Sequence, residues 1–339
     1  MWLLLACTGT PEDTAAPVDP FEWSVADAGP YNVGFATWEH SYRPTGWDED
    51  RTIAISLWYP TEDVDGKAAL YYGSFEDDTV FADAEPLATA VHAEGFPVHV
   101  YSHGYSGYGA ASPFLMKHFA SHGWVVVAPD HTGNTIGEHT DDLPAWFRWV
   151  RAEDVSAALD AIQDRGDTSR VVLSGHSFGG YTTWATSGGV FDADYVESCE
   201  DCTEADKERM LAGLGDERVV AALPLAGSGG SWLGIEGHDA VEIPVLMMSG
   251  TEDAGHDPTD VWEQTTTVDL RWANFLGGCH QLWALGQCND FDTDEGFDAV
   301  NTYSLAFARQ VVLEDSTAEV TSVLDGTTEV HPDVEYLTR

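Results

Sequence analysis

The stretch that decides the reading of this chain is Val171-Val172-Leu173-Ser174-Gly175-His176-Ser177-Phe178-Gly179-Gly180. Its opening apolar residues have the composition of a short buried strand, and residues 180–186 can form a helix. Between them, Gly175 to Gly179 must turn sharply, because a Cβ beside the serine would crowd the neighbouring strand or helix. A serine held in such a turn projects its hydroxyl out of the sheet. The N–H that follows it lies at a helix N-terminus, where negative charge is stabilised. A Gly-rich strand-to-helix turn without chemistry has the same local pattern, so the rest of the chain must decide between the two.

The chain has 339 residues, enough for one large α/β domain. An apolar content of 43% with thirteen tryptophans excludes a disordered protein. No apolar run approaches the roughly 18 residues of a membrane span. The formal net charge is -44, from 58 acidic and 14 basic residues, and the only lysines are Lys67, Lys117 and Lys207. Phosphate backbones and anionic lipid would be repelled, so nucleic acid is excluded as a partner. The excess acid reads as a solvated surface that keeps the chain soluble.

The pattern alternates along the chain. Residues 31–40 and 52–59 read as strands, with Ile53, Ile55 and Leu57 on one face, and 62–89 reads as a loop-rich connection. Residues 97–101 form a buried-type strand that runs into Ser102-His103-Gly104-Tyr105. Ser112 and Pro113 then supply an N-cap and first-turn pair. Strand 124–128 leads to Pro129-Asp130-His131. A helix from about Pro144 to Gly166 carries Val155, Ala158, Leu159 and Ile162 as one apolar stripe. Further strands are expected at 219–225, 243–248 and 270–276, with a final helix marked by Val300, Phe307 and Val311. This rhythm predicts an α/β fold, a mostly parallel central sheet with helices on both faces. Residues 187–216 break the rhythm and read as a cap insertion after the helix that follows Ser177. The expected organisation is a leader and acidic tether over 1–20 and one folded domain over 21–339.

A serine hydroxyl needs a base, and the base needs an orienting carboxylate. On an α/β sheet these come in the order serine, acid, histidine, from loops at the C-terminal ends of strands. Four histidines follow Ser177. His238 precedes a strand, His256 sits in the acid loop and His331 lies near the C-terminus. His280 alone follows a strand through a Gly-Gly turn. The strand ending at Met248 delivers Asp253, with Glu252 and Asp257 as competing acids. Two N–H donors are needed for the oxyanion. Phe178, after the nucleophile, supplies one, and Tyr105 is the best candidate for the other. Trp232 is a candidate wall of the substrate site.

With these pieces assembled, the chain resembles the α/β-hydrolase superfamily. Within it, the chain is similar to the group of platelet-activating-factor acetylhydrolases, dienelactone-hydrolase-like esterases and cutinase-like polyester hydrolases. The resemblance rests on Trp58-Tyr59-Pro60, His103-Gly104-Tyr105, Ala128-Pro129-Asp130-His131, the 175–180 turn, Gly250 to Asp253, and His280. It implies hydrolysis of a small-molecule or polymeric ester through an acyl-enzyme, with Ser177 as nucleophile, His280 as base and Asp253 as orienter. It implies neither cofactor nor metal. Two departures stand out. Dienelactone hydrolases carry cysteine where this chain has Ser177, and the acetylhydrolases take their acid from the preceding strand, which here ends in Leu223-Pro224-Leu225-Ala226 without one. The rival readings are a serine peptidase or amidase of the same fold, and a hydrolase-like binding protein without turnover.

Leu4-Leu5-Ala6-Cys7 resembles the lipobox of bacterial lipoproteins, although only six residues precede Cys7 and none is basic. The resemblance implies an exported, cell-envelope or secreted protein, attached to membrane through lipidated Cys7, and a monomer is expected. The other four cysteines allow three pairings. Cys279 with Cys288 and Cys199 with Cys202 are the expected pairs, and the rival joins Cys202 to Cys279. Asp290 to Gly296 resembles the start of a calcium loop, but its glycine comes one place late and no acid stands at the twelfth position.

Overall fold

The computed structural model describes residues 19–138, 142–284 and 286–339. The lipobox-like leader with Cys7 and nearly all of the tether lie outside them. Among the described residues the chain forms β1 (Asn32–Tyr42), β2 (Arg51–Thr61), β3 (Lys67–Tyr71), β4 (Phe75–Ala82), β5 (Pro97–Ser102), α1 (Pro113–Ser121), β6 (Val125–Asp130), α2 (Phe147–Asp160), β7 (Asp167–His176) and α3 (Phe178–Thr186). It continues through α4 (Ala193–Ser198), α5 (Glu204–Leu211), β8 (Val219–Leu225), α6 (Gly234–Asp239), β9 (Val245–Gly250), α7 (Thr259–Gln264), β10 (Leu270–Phe275), α8 (Thr293–Val312), α9 (Ala318–Leu324) and β11 (Val334–Thr338).

All eleven strands join one sheet in the order β11-β10-β9-β8-β7-β5-β6-β2-β1-β4-β3. Its centre, from β10 to β6, is parallel throughout. Alternation sends successive side chains to opposite faces. Val98, Val100, Val171 and Leu173 pack with Val155 and Leu159 of α2. Tyr101, Val126, Ala128 and Val172 pack on the other face with Leu115 and Phe119 of α1 and Val300 and Phe307 of α8. The sheet is therefore buried on both sides, and the loops after the parallel strands converge at one edge, where ligands of such sheets bind.

Two local expectations need correction. Residues 62–89 are only in part the loop-rich connection expected. They hold β3 and β4, which extend the sheet through β1. Only one face of this pair is covered, by Ala69, Tyr71 and Val80, and acids such as Glu76 and Asp78 interrupt the pattern. The chain also does not end on a helix. After α8 come α9 and β11, the latter antiparallel to β10 with only Val334 buried, too faint a pattern to read. Ser112 stands at the N-cap of α1 but its side chain makes no capping bond. Its Oγ lies 2.5 Å from the Trp283 carbonyl instead. The run from Asp290 begins a helix, since Asp292 caps α8 by accepting from Asp294 N and Glu295 N.

Candidate active site

The turn after β7 places Ser177 at φ 57 and ψ -115, a backbone region that a residue with a side chain occupies at a cost of about 1–3 kcal/mol. Close packing enforces it. A Cβ on Gly175 would lie 2.3 Å from Gly179 O, and one on Gly179 would lie 1.9 Å from Ser102 O. Ser177 N–H donates to Leu225 O of β8 at 2.9 Å. The hydroxyl is thus aimed at the loops beyond β9 and β10.

Those loops deliver the other two groups. His280 Nε2 lies 2.9 Å from Ser177 Oγ, and His280 Nδ1 lies 2.7 Å from Asp253 Oδ2. Burial alone would raise the Asp253 carboxyl. The hydrogen bond and charge of His280, with the Gly255 N–H, outweigh it and hold the group below its usual range, so it is a carboxylate. Glu252 and Asp257 are not part of this chain of contacts: Asp257 accepts from Thr259 N at 3.0 Å in a turn. His238 is buried on α6 with its ring on Gly234 O, His331 faces Glu295, and His256 lines the cavity beside His280 without joining the Ser177 chain. A further histidine, His176, lies against the site. Its Nε2 donates to the His280 carbonyl at 2.8 Å. Burial, with the nearby His280, depresses it to about 4, so it is neutral and braces the His280 backbone.

Phe178 opens α3, so its N–H is one of the first-turn donors without an intrahelical acceptor. The Tyr105 N–H is oriented through its own peptide plane. His103 Nε2 accepts from His131 N–H at 2.9 Å, which fixes the proton of His103 on Nδ1. That proton goes to Gly104 O at 2.7 Å, and Gly107 N–H donates to the same oxygen at 3.1 Å. In a trans peptide the N–H points opposite to the carbonyl, so pinning Gly104 O aims the Tyr105 N–H.

Beneath this loop lies a buried polar web. Arg151 of α2, fully buried, donates to Asn134 Oδ1 at 2.9 Å, Thr182 Oγ1 at 3.1 Å, Ser102 Oγ at 3.2 Å and the His103 carbonyl. Its guanidinium lies 4.4 Å from the Phe178 ring centre. It therefore ties the loop carrying Tyr105 to the turn carrying Phe178. Ser102 Oγ is 2.9 Å from His131 Nε2, and His131 Nδ1 is 2.8 Å from Asp154 Oδ2. Asp154 also accepts from Arg51 and Tyr42, each at 2.7 Å. Sequence reasoning missed this web. The available signal was that Arg151 and Asp154 stand four residues before Val155 and Ala158, so charged groups occupy the apolar stripe of α2.

The site opens into a cavity of about 620 Å³ lined by Ser177, His280, Tyr105, Phe178, Tyr181, Phe147, Arg148, Trp232 and the glycine- and serine-rich loop after β8. Trp232 packs edge-on to Tyr181 at 4.8 Å and to Phe178 at 5.8 Å. Residues 187–216 contain α4 and α5, fastened by Trp149 Nε1 to Asp206 at 2.8 Å and by Asp192 N to Trp232 O at 2.9 Å. The disulfides are Cys199–Cys202 and Cys279–Cys288, so the insertion is not cross-linked to the His280 loop. Cys199, Cys202 and Asp201 cluster closely enough to suggest metal ligands, but the two sulfurs are bonded to each other.

A family model described as Chlorophyllase matches residues 76–197. No curated protein matches the chain. Among solved structures, a ferulic acid esterase from Streptomyces cinnamoneus superposes with a TM-score of 0.66, over 93% of this chain and 99% of that one, at 20% identity. The chain thus has the α/β-hydrolase fold.

Proposed function

We propose that the protein is a serine carboxylic-ester hydrolase working through an acyl-enzyme. The observation that carries the reading is the unbroken run Ser177 Oγ, His280, Asp253 at 2.9 and 2.7 Å, mounted on a turn strained to present the serine. The match to the Chlorophyllase model and the likeness to a ferulic acid esterase support it. Ser177 Oγ attacks the ester carbonyl while His280 Nε2 takes its proton, and the Asp253 carboxylate stabilises the imidazolium. The oxygen of the tetrahedral intermediate lies against the N–H groups of Phe178 and Tyr105. His280 then gives its proton to the departing alcohol. Water, deprotonated by the same nitrogen, attacks the acyl-enzyme and frees the acid and Ser177. Two disulfides support an exported protein.

The test is turnover of 4-nitrophenyl acetate with labelling by a fluorophosphonate. Both should be lost in Ser177→Ala, turnover by several orders of magnitude, with circular dichroism unchanged. Near-normal hydrolysis by that variant would refute the assignment. A 4-nitroanilide peptide should be turned over far more slowly than the ester, and the reverse order would favour a peptidase.

A further inference from the structure

The cavity's charge is unlike the rest of the molecule. With 58 acidic residues among 339, an 18-residue lining would carry about three carboxylates at the chain's average. Among the described residues it carries none. Among the described lining residues the one fixed charge is positive, the guanidinium of Arg148, one of only 14 basic residues in the chain.

Arg148 is held as a recognition group would be. Its guanidinium carbon lies 5.5 Å from the Trp232 ring centre and 6.0 Å from that of Tyr195. On its outer side Nη1 pairs with Asp201 at 3.1 Å and lies 3.6 Å from each sulfur of the Cys199–Cys202 bridge. These contacts all use Nη1. Nε and Nη2, with three N–H between them, have no acceptor among the described residues, and the side chain is largely buried, with 18% exposure. Asp201, its counter-charge, is not among the lining residues and is 57% exposed, where water screens it. A cation needed only to fasten the 199–202 turn could have stood outside the cavity. Placed on the wall, a planar fork whose Nε and Nη2 meet no acceptor among the described residues matches a carboxylate.

Resting on the ester-hydrolase reading above, we propose that the substrate is an ester bearing a second, free carboxylate, such as the half-ester of a dicarboxylic acid, and that Arg148 binds this carboxylate. A neutral lipid ester would desolvate the guanidinium without compensation. An anion has to overcome the chain's negative charge to arrive, and then meets a site free of carboxylates at its described lining.

The test uses matched pairs: 4-nitrophenyl hydrogen adipate against 4-nitrophenyl methyl adipate, and 4-carboxyphenyl acetate against its methyl ester. The wild type should favour the anionic member of at least one pair by about 10- to 100-fold in kcat/KM at low salt, the range of a charge-assisted hydrogen bond. Arg148→Gln should collapse this ratio, and Asp201→Asn, which removes the competing carboxylate outside the cavity, should widen it. Absence of a preference in both pairs overturns the proposal. So does equal loss on both members in Arg148→Gln, or a ratio that falls in Asp201→Asn. If Arg148→Gln does not fold, the matched-pair ratio in the wild type and in Asp201→Asn still decides. Ester turnover that survives Ser177→Ala would sink the hydrolase reading itself. Ser177-dependent turnover without anion preference would sink only this inference.

Discussion

Replacing Arg151 by methionine tests whether the buried web sets the rate. Methionine keeps much of the length and volume but makes none of the four hydrogen bonds. The hydroxyls of Ser102 and Thr182 already donate elsewhere and can do without it. The His103 carbonyl and Asn134 Oδ1 lose a charged donor inside the protein, at about 1–3 kcal/mol each. Against this stands the relief of a buried guanidinium's desolvation, so the net loss of stability should be about 1–3 kcal/mol. The effect on catalysis is separate. Without the tie, the Tyr105 loop and the Phe178 turn can drift apart, and a displacement of about 1 Å costs roughly 100-fold in rate. Loss of one oxyanion donor costs about 10²–10³. We therefore expect kcat to fall about 10²-fold with KM changed less than about threefold. Arg151→Lys, which keeps the charge but not the fork, should lie between. The assay is steady-state hydrolysis of 4-nitrophenyl acetate, normalised to active sites counted by a stoichiometric phosphonate. A variant of lowered stability whose counted sites turn over at the wild-type rate would refute the reasoning, because the web would then serve the fold alone.

Asp253→Asn should lower kcat about 10⁴-fold by favouring the wrong His280 tautomer, while Glu252→Gln and Asp257→Asn leave it nearly intact; a larger loss from either control moves the acid. Burial raises the Asp130 carboxyl to about 6, opposed by the Gly109 N–H it accepts at 2.6 Å and aided by the charge of Glu138. The folded state then keeps a proton that the unfolded chain releases, so stability should fall as pH rises from about 4 to 6, by about 3 kcal/mol. Asp130→Asn should remove that fall, giving a higher urea midpoint than wild type at pH 8 and no such gap at pH 3.5; an equal gap at both pH values would contradict it. Removing the Cys279–Cys288 bridge with a double serine variant should cost about 2–3 kcal/mol for its ten-residue loop, read from urea unfolding. It should also lower kcat by loosening His280, and unchanged kcat would show that His176 alone suffices to hold the base.

The parts of the molecule that were legible in the sequence are those where one local pattern carries the signal. Val171 to Gly180 encodes strand, turn and helix in ten residues. His280 and Asp253 could be found because chain order and strand ends restrict the choice. The strands from β5 to β10 were readable because burial on both faces makes them continuous apolar runs. The pair β3 and β4 was not, since edge strands covered on one face carry acids on the other. β11 was invisible because pairing with β10 supplies what its composition does not. The web under the Tyr105 loop joins β2, β5, the loop after β6, α2 and α3. Its members lie far apart in the chain, and no spacing rule links them.

Ser102, His131 and Asp154 repeat the arrangement of Ser177, His280 and Asp253 almost atom for atom, at 2.9 and 2.8 Å, within one protein. Yet this second set is inert by construction. A serine becomes a nucleophile only if its histidine can accept a full positive charge, and His131 cannot. Burial first, and the Arg151 cation next, depress it to about 3 despite the Asp154 carboxylate. Arg151 also donates to Ser102 Oγ, occupying a lone pair that an attack would need. All three residues are wholly shielded from solvent, so no ester could reach them. The same three side-chain types thus stand once on the wall of a cavity and once as a structural rivet, set apart first by burial and then by the cation beside the second imidazole. A serine-directed reagent should accordingly mark one serine of the two, and a geometric template alone would count both.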